Sequence, residues 1–103
     1  MDRFAMFAKV TAKAGQREAL AEYLLEASHL LMSFAGCLLY VVNSSLSDPD
    51  AVCVFEAWRS QADHDASLNL ESVKALIART KPLVANFESQ RLIPVGGKGL
   101  PPL

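Results

Sequence analysis

VCVFEAWRSQADHDAS, residues 52–67, decides the fold. Its first half is rich in β-branched and aromatic residues and suits a strand over residues 51–59. Ser60 can then cap a helix, with Asp63 three positions on in an arrangement close to a capping box. The strand carries the chain's single tryptophan, Trp58, two residues after Glu56. Alternation along a strand sets both on one face. A tryptophan there is either a large core or interface residue, or the wall of a small aromatic pocket.

Upstream, residues 37–44 (CLLYVVNS) form a strand, and the turn-forming run SLSDPD separates it from the Trp58 strand. A hairpin centred on Asp48 sets Cys53 opposite Asn43, Tyr40 opposite Glu56 and Cys37 opposite Arg59. Tyr40, Glu56 and Trp58 then share a face, where a buried carboxylate needs a hydrogen-bond partner that Tyr40 can supply. The two cysteines, Cys37 and Cys53, are offset by roughly 20 Å at strand rise. That is beyond disulfide reach, so both are expected to be reduced core residues.

Further out, RFAMFAKVTA (residues 3–12) suits a strand with Phe4, Met6, Ala8 and Val10 on one face. A helix follows from about Gln16 to Ser33, with Leu20, Tyr23, Leu24, Ala27, Leu31 and Phe34 as its apolar stripe, and Gly36 ends that element. A second helical region runs from about Gln61 to Thr80 with a break near Asn69, and Pro82 stops it. Residues 85–94 give a last strand with one wetter face, marked by Glu88 and Gln90. The order is β-α-β-β-α-β, the ferredoxin-like α+β arrangement, which predicts a four-stranded antiparallel sheet with both helices on one face. Residues 1–95 are expected to be a single domain. The tail at 96–103 is expected to be extended and mobile unless a partner holds it.

Both faces of the central strands are apolar: Leu38, Tyr40 and Val42 alternate with Leu39 and Val41, and Val52, Val54 and Trp58 alternate with Cys53, Phe55 and Ala57. Two helices cover only one face. The second face calls for another cover, and the simplest is a second copy of the sheet, so a homodimer is expected.

The 103 residues fit one domain, and 51% apolar content builds a real core. A net charge of −1 and a pI near 6.1 provide no phosphate-binding footprint, which argues against nucleic acid. No apolar run approaches the roughly 18 residues of a membrane span. MDRFAMFAKV lacks the hydrophobic segment and cleavage site of a signal peptide, so a cytoplasmic location is expected. No zinc-ligand spacing, dinucleotide fingerprint or GxSxG motif occurs, and Gly96-Gly97-Lys98-Gly99 lacks P-loop spacing. The expectation is chemistry with neither metal nor cofactor, in a pocket that binds, orients and deprotonates a reactive substrate.

His64, flanked by Asp63 and Asp65, is either a solvated or half-buried helix residue or a proton carrier facing the sheet. Asn43 either starts the turn or offers an amide to a substrate oxygen. His29 lies off the main helical stripe and is either a surface or boundary residue or the edge of a pocket. Arg79 suits the helix C-terminus through the dipole.

FEAWRSQADHDASL, followed by SVKALIARTKPLV and a strand ending in PVGGKGL, resembles the antibiotic biosynthesis monooxygenase family, including its small quinol-monooxygenase-like proteins. AGCLLYVVNSSLSDPDAV extends the likeness over nearly the whole chain. The resemblance implies a dimeric α+β barrel with one pocket per subunit. It also implies oxidation of phenols, quinols or polyketide-type aromatics by O2 without flavin or metal, the deprotonated substrate itself passing an electron to oxygen. Trp58 matches the family's pocket tryptophan, and Asn43 and His64 are further candidates. Ser67 and Ser72 stand where many members carry histidines, so the family-style base is missing at those positions. The haem-degrading branch requires groups where Ala8 and Ser67 or Leu68 stand, which excludes that branch.

The reading is a cofactor-independent monooxygenase of a small phenolic, quinol or polyketide-like aromatic. Trp58 packs on the ring, His64 or Tyr40 with Glu56 handles the proton, and Asn43 orients an oxygen. The rival readings are an isomerase or other non-oxidative enzyme acting on a small carbonyl metabolite, and a non-catalytic binding module.

Overall fold

Alternating apolar residues generate the expected strands, and their inward side chains find the helices. The structure, a computed structural model, describes residues 2–100. In chain order it contains β1 (Phe4–Ala12), α1 (Arg17–Leu31), β2 (Cys37–Ser44), β3 (Ala51–Trp58), α2 (Gln61–Ser67), α3 (Glu71–Thr80), a 3-10 turn (Lys81–Leu83) and β4 (Val84–Leu92). The strands make one antiparallel sheet in the order β2-β3-β1-β4. This is the ferredoxin-like arrangement expected from the sequence. The second helical region divides at Leu68–Leu70 into α2 and α3, where a break near Asn69 was expected.

Gly15 turns the chain from β1 toward α1 with φ +78°, a conformation that favours glycine. Arg17 at the start of α1 donates to the Ser45 and Asp48 carbonyls at 3.0 and 3.2 Å, tying the helix to the β2–β3 turn. Lys9 reaches the Asp48 carboxylate from β1 at 3.4 Å.

The hairpin register puts Tyr40 opposite Glu56 and Asn43 opposite Cys53, as expected. One expectation is corrected. An irregularity between Cys37 and Leu39 shifts the ladder, so Cys37 faces Trp58 rather than Arg59. The extra residue of a bulge moves the pairing by one position without disturbing the alternation beyond it.

The helix-facing side of the sheet holds two apolar clusters. Val10, Ala12, Leu20 and Val52 form one, and Phe4, Leu31 and Trp58 form the other. On the opposite side Phe55 and Val41, cross-strand partners, remain 49% and 42% exposed. Leu39 and Ala57 continue this apolar surface, and Leu92, Ile93, Pro94 and Leu100 border it. In the C-terminal tail, residues 93–97 have no regular structure and residues 98–99 turn. Residues 101–103 lie outside the described part of the chain. Among the described residues no helix is long and apolar enough to cross a membrane.

β4 pairs only with β1 and forms one edge of the sheet. Helical cover stops short of it, so even Phe87, which pairs with inward-facing Val10, is 56% exposed. Glu88 pairs with outward-facing Lys9 and Gln90 with outward-facing Phe7, giving the expected wetter face.

Gly36 fixes how closely α2 approaches the α1–β2 turn. A Cβ there would lie 2.6 Å from the Asp63 Cβ and 2.7 Å from its Cγ. Asp63 has little room to yield. Its carboxylate accepts from Arg59 at 2.7 and 3.2 Å and from the Ser60 hydroxyl at 3.2 Å, while its backbone N–H donates to Ser60 Oγ at 3.1 Å. Gly36→Ala is therefore expected to cost about 1–3 kcal/mol, the usual penalty for overpacking. Urea denaturation checks this, and an unchanged midpoint would show that the start of α2 can shift freely.

Candidate functional site

The short β3–α2 connection builds the site. Glu56 and Trp58 project from β3 toward the helices, and the Trp58 indole N–H donates to Glu56 Oε1 at 3.0 Å. Ser60 caps α2 and so sets its rotational phase. That phase turns His64 inward beneath the end of β3. His64 is 6% exposed, with its ring centroid 5.0 Å from Phe4 and 5.3 Å from Trp58, edge-on to the latter. His64 is thus buried and faces the sheet; neither a solvated nor a half-buried placement is observed.

His64 Nδ1 lies 3.0 Å from Asp65 Oδ1, and Nε2 lies 3.7 Å from Glu56 Oε1. The Asp65 contact at Nδ1 leaves Nε2 as the ring nitrogen that faces Glu56. Burial pushes the Glu56 carboxyl above the ordinary carboxylate range, against the opposing pull of the Trp58 hydrogen bond and the His64 charge. Tyr40, across the strand pair from Glu56, has its phenol pushed upward by burial and then by the Glu56 charge. Burial raises the Cys37 thiol as well, with a smaller contribution from Glu56. Both cysteines are free.

Tyr40, Glu56, Trp58 and His64 line a cavity of about 150 Å³ between the sheet and helices α1, α2 and α3. Tyr40, Glu56 and Trp58 form its floor, His64 and Ser67 come from α2, and α1 contributes Tyr23, Leu24, Ala27 and Leu31. Leu76 and its α3 neighbours close the opposite wall. Ser67 Oγ donates to the His64 carbonyl at 2.6 Å, and Thr80 Oγ1 donates to the Ile77 carbonyl at 2.7 Å. Among the described residues no cluster of His, Cys, Asp and Glu could hold a metal ion.

Four of the five candidate residues, Tyr40, Glu56, Trp58 and His64, therefore meet at one cavity. Asn43 does not join them. It pairs with outward-facing Cys53, and its amide donates to the Cys53 and Val41 carbonyls at 3.1 and 3.3 Å on the opposite side of the sheet. The Glu56 partner also differs from expectation, being the Trp58 indole rather than Tyr40. Ser67 is a cavity residue that the sequence reading treated only as a missing histidine, whereas Ser72 is exposed. His29 is exposed, as expected of a surface residue. Arg79, read as a helix-end residue, also bridges α3 to α1, donating to Glu26 at 3.3 Å and lying over the Tyr23 ring.

Residues 3–79 match the family described as antibiotic biosynthesis monooxygenase, and the chain belongs to that family. Its fold matches a candidate antibiotic biosynthesis monooxygenase from Chloroflexus aurantiacus at 41% identity and TM-score 0.87, covering 96% of this chain and 99% of that one. A Nitrosomonas europaea protein of unknown function, NE2512, is 28% identical with TM-score 0.80, covering 99% and 97% of the two chains. PA3566 from Pseudomonas aeruginosa is similar in fold, at 24% identity and TM-score 0.83, over 93% of this chain and 97% of that one. No curated protein matches the chain.

Proposed function

We propose that the chain is a homodimeric, cofactor-independent monooxygenase that oxidises a small phenol or quinol with O2. The observation carrying this reading is the Glu56 carboxylate. It lines the cavity, is held by the Trp58 N–H and lies beside His64 Nε2. Its raised proton affinity brings it closer to the range useful to a general base at neutral pH. Membership of the monooxygenase family supports the oxidative chemistry.

In this scheme a substrate hydroxyl gives its proton to Glu56, and His64 Nε2 offers the proton its next position. The resulting anion passes one electron to O2, and the radical pair combines to form a carbon–oxygen bond on the ring. Loss of the proton from that carbon and cleavage of the O–O bond leave a carbonyl and release water. The substrate supplies every electron: hydroquinone and O2 give hydroxybenzoquinone and water. Tyr40 and Trp58 flank the ring. Asn43 has no part, since it lies across the sheet.

The dimer reading rests on the outer surface around Phe55 and Val41, which no helix covers. A second copy related by a twofold axis buries this surface against its own image.

Oxygen consumption with a panel of hydroquinones and phenols tests the reaction. Uptake that depends on the folded protein is expected. Turnover that persists under nitrogen would instead support the isomerase reading, and ligand binding without turnover the binding-module reading.

A further inference from the structure

We propose that the cavity selects a single aromatic ring that carries a free hydroxyl and no charged substituent, with the hydroxyl delivered to Glu56. This rests on the oxidative reading above and narrows its substrate.

The volume limits the ring count. An apolar cavity of about 150 Å³ accepts one benzene, and this cavity has that volume. Its inner walls have little freedom to recede: Trp58, Leu76 and Leu31 are 1%, 2% and 7% exposed and belong to the packed interior, while Leu68 and Ile77, exposed, flank the mouth. The space exists because Ala27 stands in the α1 stripe between Leu24 and Leu31, where a larger side chain would fill it.

The polarity of the walls selects the substituent. Ser67 and Thr80, two of the hydroxyls on the helical side, already donate to backbone carbonyls. Of the remaining polar groups, Tyr23 lies on α1 with Arg79 over its ring, whereas Tyr40, Glu56 and His64 gather at the sheet floor and the base of α2. A ring can therefore satisfy a hydroxyl there while its opposite edge meets leucine and alanine. Among the described residues no Lys or Arg lines the cavity. A carboxylate or sulfonate on the ring would thus meet no permanent cation and would lie near the Glu56 carboxylate, so its desolvation would be poorly compensated.

The single tryptophan of the chain is a cavity wall, so its fluorescence reports occupancy. Titration of the whole protein under nitrogen separates binding from turnover. Hydroquinone and p-cresol are expected to quench saturably. Bicyclic 2-naphthol is expected to bind roughly ten-fold or more weakly, the consequence of overpacking. Anionic 4-hydroxybenzoate is expected to be weakened at least as much. Ala27→Leu should remove p-cresol binding while retaining the wild-type circular dichroism spectrum, with Ala27→Val as a milder filling variant that should weaken it. Equal or tighter binding of 2-naphthol or 4-hydroxybenzoate would overturn the proposal. So would benzylamine binding more tightly than p-cresol, or p-cresol quenching that survives in both Ala27 variants. The expected binding series without oxygen uptake would uphold this selectivity and remove only the oxidative reading. Oxygen uptake with anthrones or naphthalenediols, but none with single rings, would do the reverse.

Discussion

Glu56→Gln is expected to lower kcat by about 10²–10⁴-fold, the usual contribution of a general base. Gln keeps the shape of the side chain, and its carbonyl oxygen can still accept from Trp58. The loss would therefore report the missing proton acceptor rather than a rearranged cavity. Stability should move the other way. Burial raises the folded-state proton affinity of Glu56, so the stability it contributes is complete below the ordinary carboxylate range. That stability is lost as pH rises from the unfolded-state value through the higher folded-state value. The glutamine variant has no such loss. Its unfolding free energy relative to wild type should rise across that window and level off above it, leaving the variant at least as stable at neutral pH. Oxygen-electrode kinetics and urea denaturation at several pH values check both halves. A variant with near-wild-type kcat would remove Glu56 from the chemistry. A variant much less stable at neutral pH would show that the charge is favourably paired in the folded protein.

Phe55→Lys is expected to turn a dimer into a monomer. Phe55 lies on the outer face of β3, opposite Val41, and is half exposed in the single chain. A lysine there can remain in water when the chain is alone, so the fold should tolerate it. In a twofold dimer the substitution occurs twice in one interface. Burying unpaired ammonium groups costs several kcal/mol each even after relaxation. A rise in the dimer Kd of at least ~10²-fold, about 3 kcal/mol, is the conservative expectation. Sedimentation velocity should find wild-type dimer and variant monomer at micromolar concentration, with matching circular dichroism. A wild-type monomer would leave the apolar face without its proposed cover and refute the dimer.

Much of this architecture was readable from alternation. Tyr40 opposite Glu56 follows from a hairpin centred on the SLSDPD turn, because period-two patterning on both strands admits few registers. The position of Asn43 followed from the same rule. It stands three residues from Tyr40, so the two point to opposite faces, and proximity in sequence misled where parity did not. The shift at Cys37 was less accessible, since a bulge depends on how the strand end meets α1 and α2. The burial of His64 depends on helix phase. Ser60 signals where α2 begins, but only the packing of Phe4 and Trp58 shows which way the imidazole turns. The Trp58–Glu56 hydrogen bond depends on side-chain rotamers, which strand patterning does not specify. The cavity was the least legible feature. Ala27 appears in the sequence as one more apolar residue, and the space beside it exists only once three helices and a sheet surround it.

The account centres on insertion of an oxygen atom from O2 at the Glu56–Trp58–His64 cavity. Turnover of hydroquinone under ¹⁸O2, followed by mass spectrometry of the product, tests this most directly. The account predicts one labelled oxygen per product molecule, formed by the wild type and strongly reduced in Glu56→Gln. An unlabelled product, or product formed equally fast under nitrogen, would contradict it.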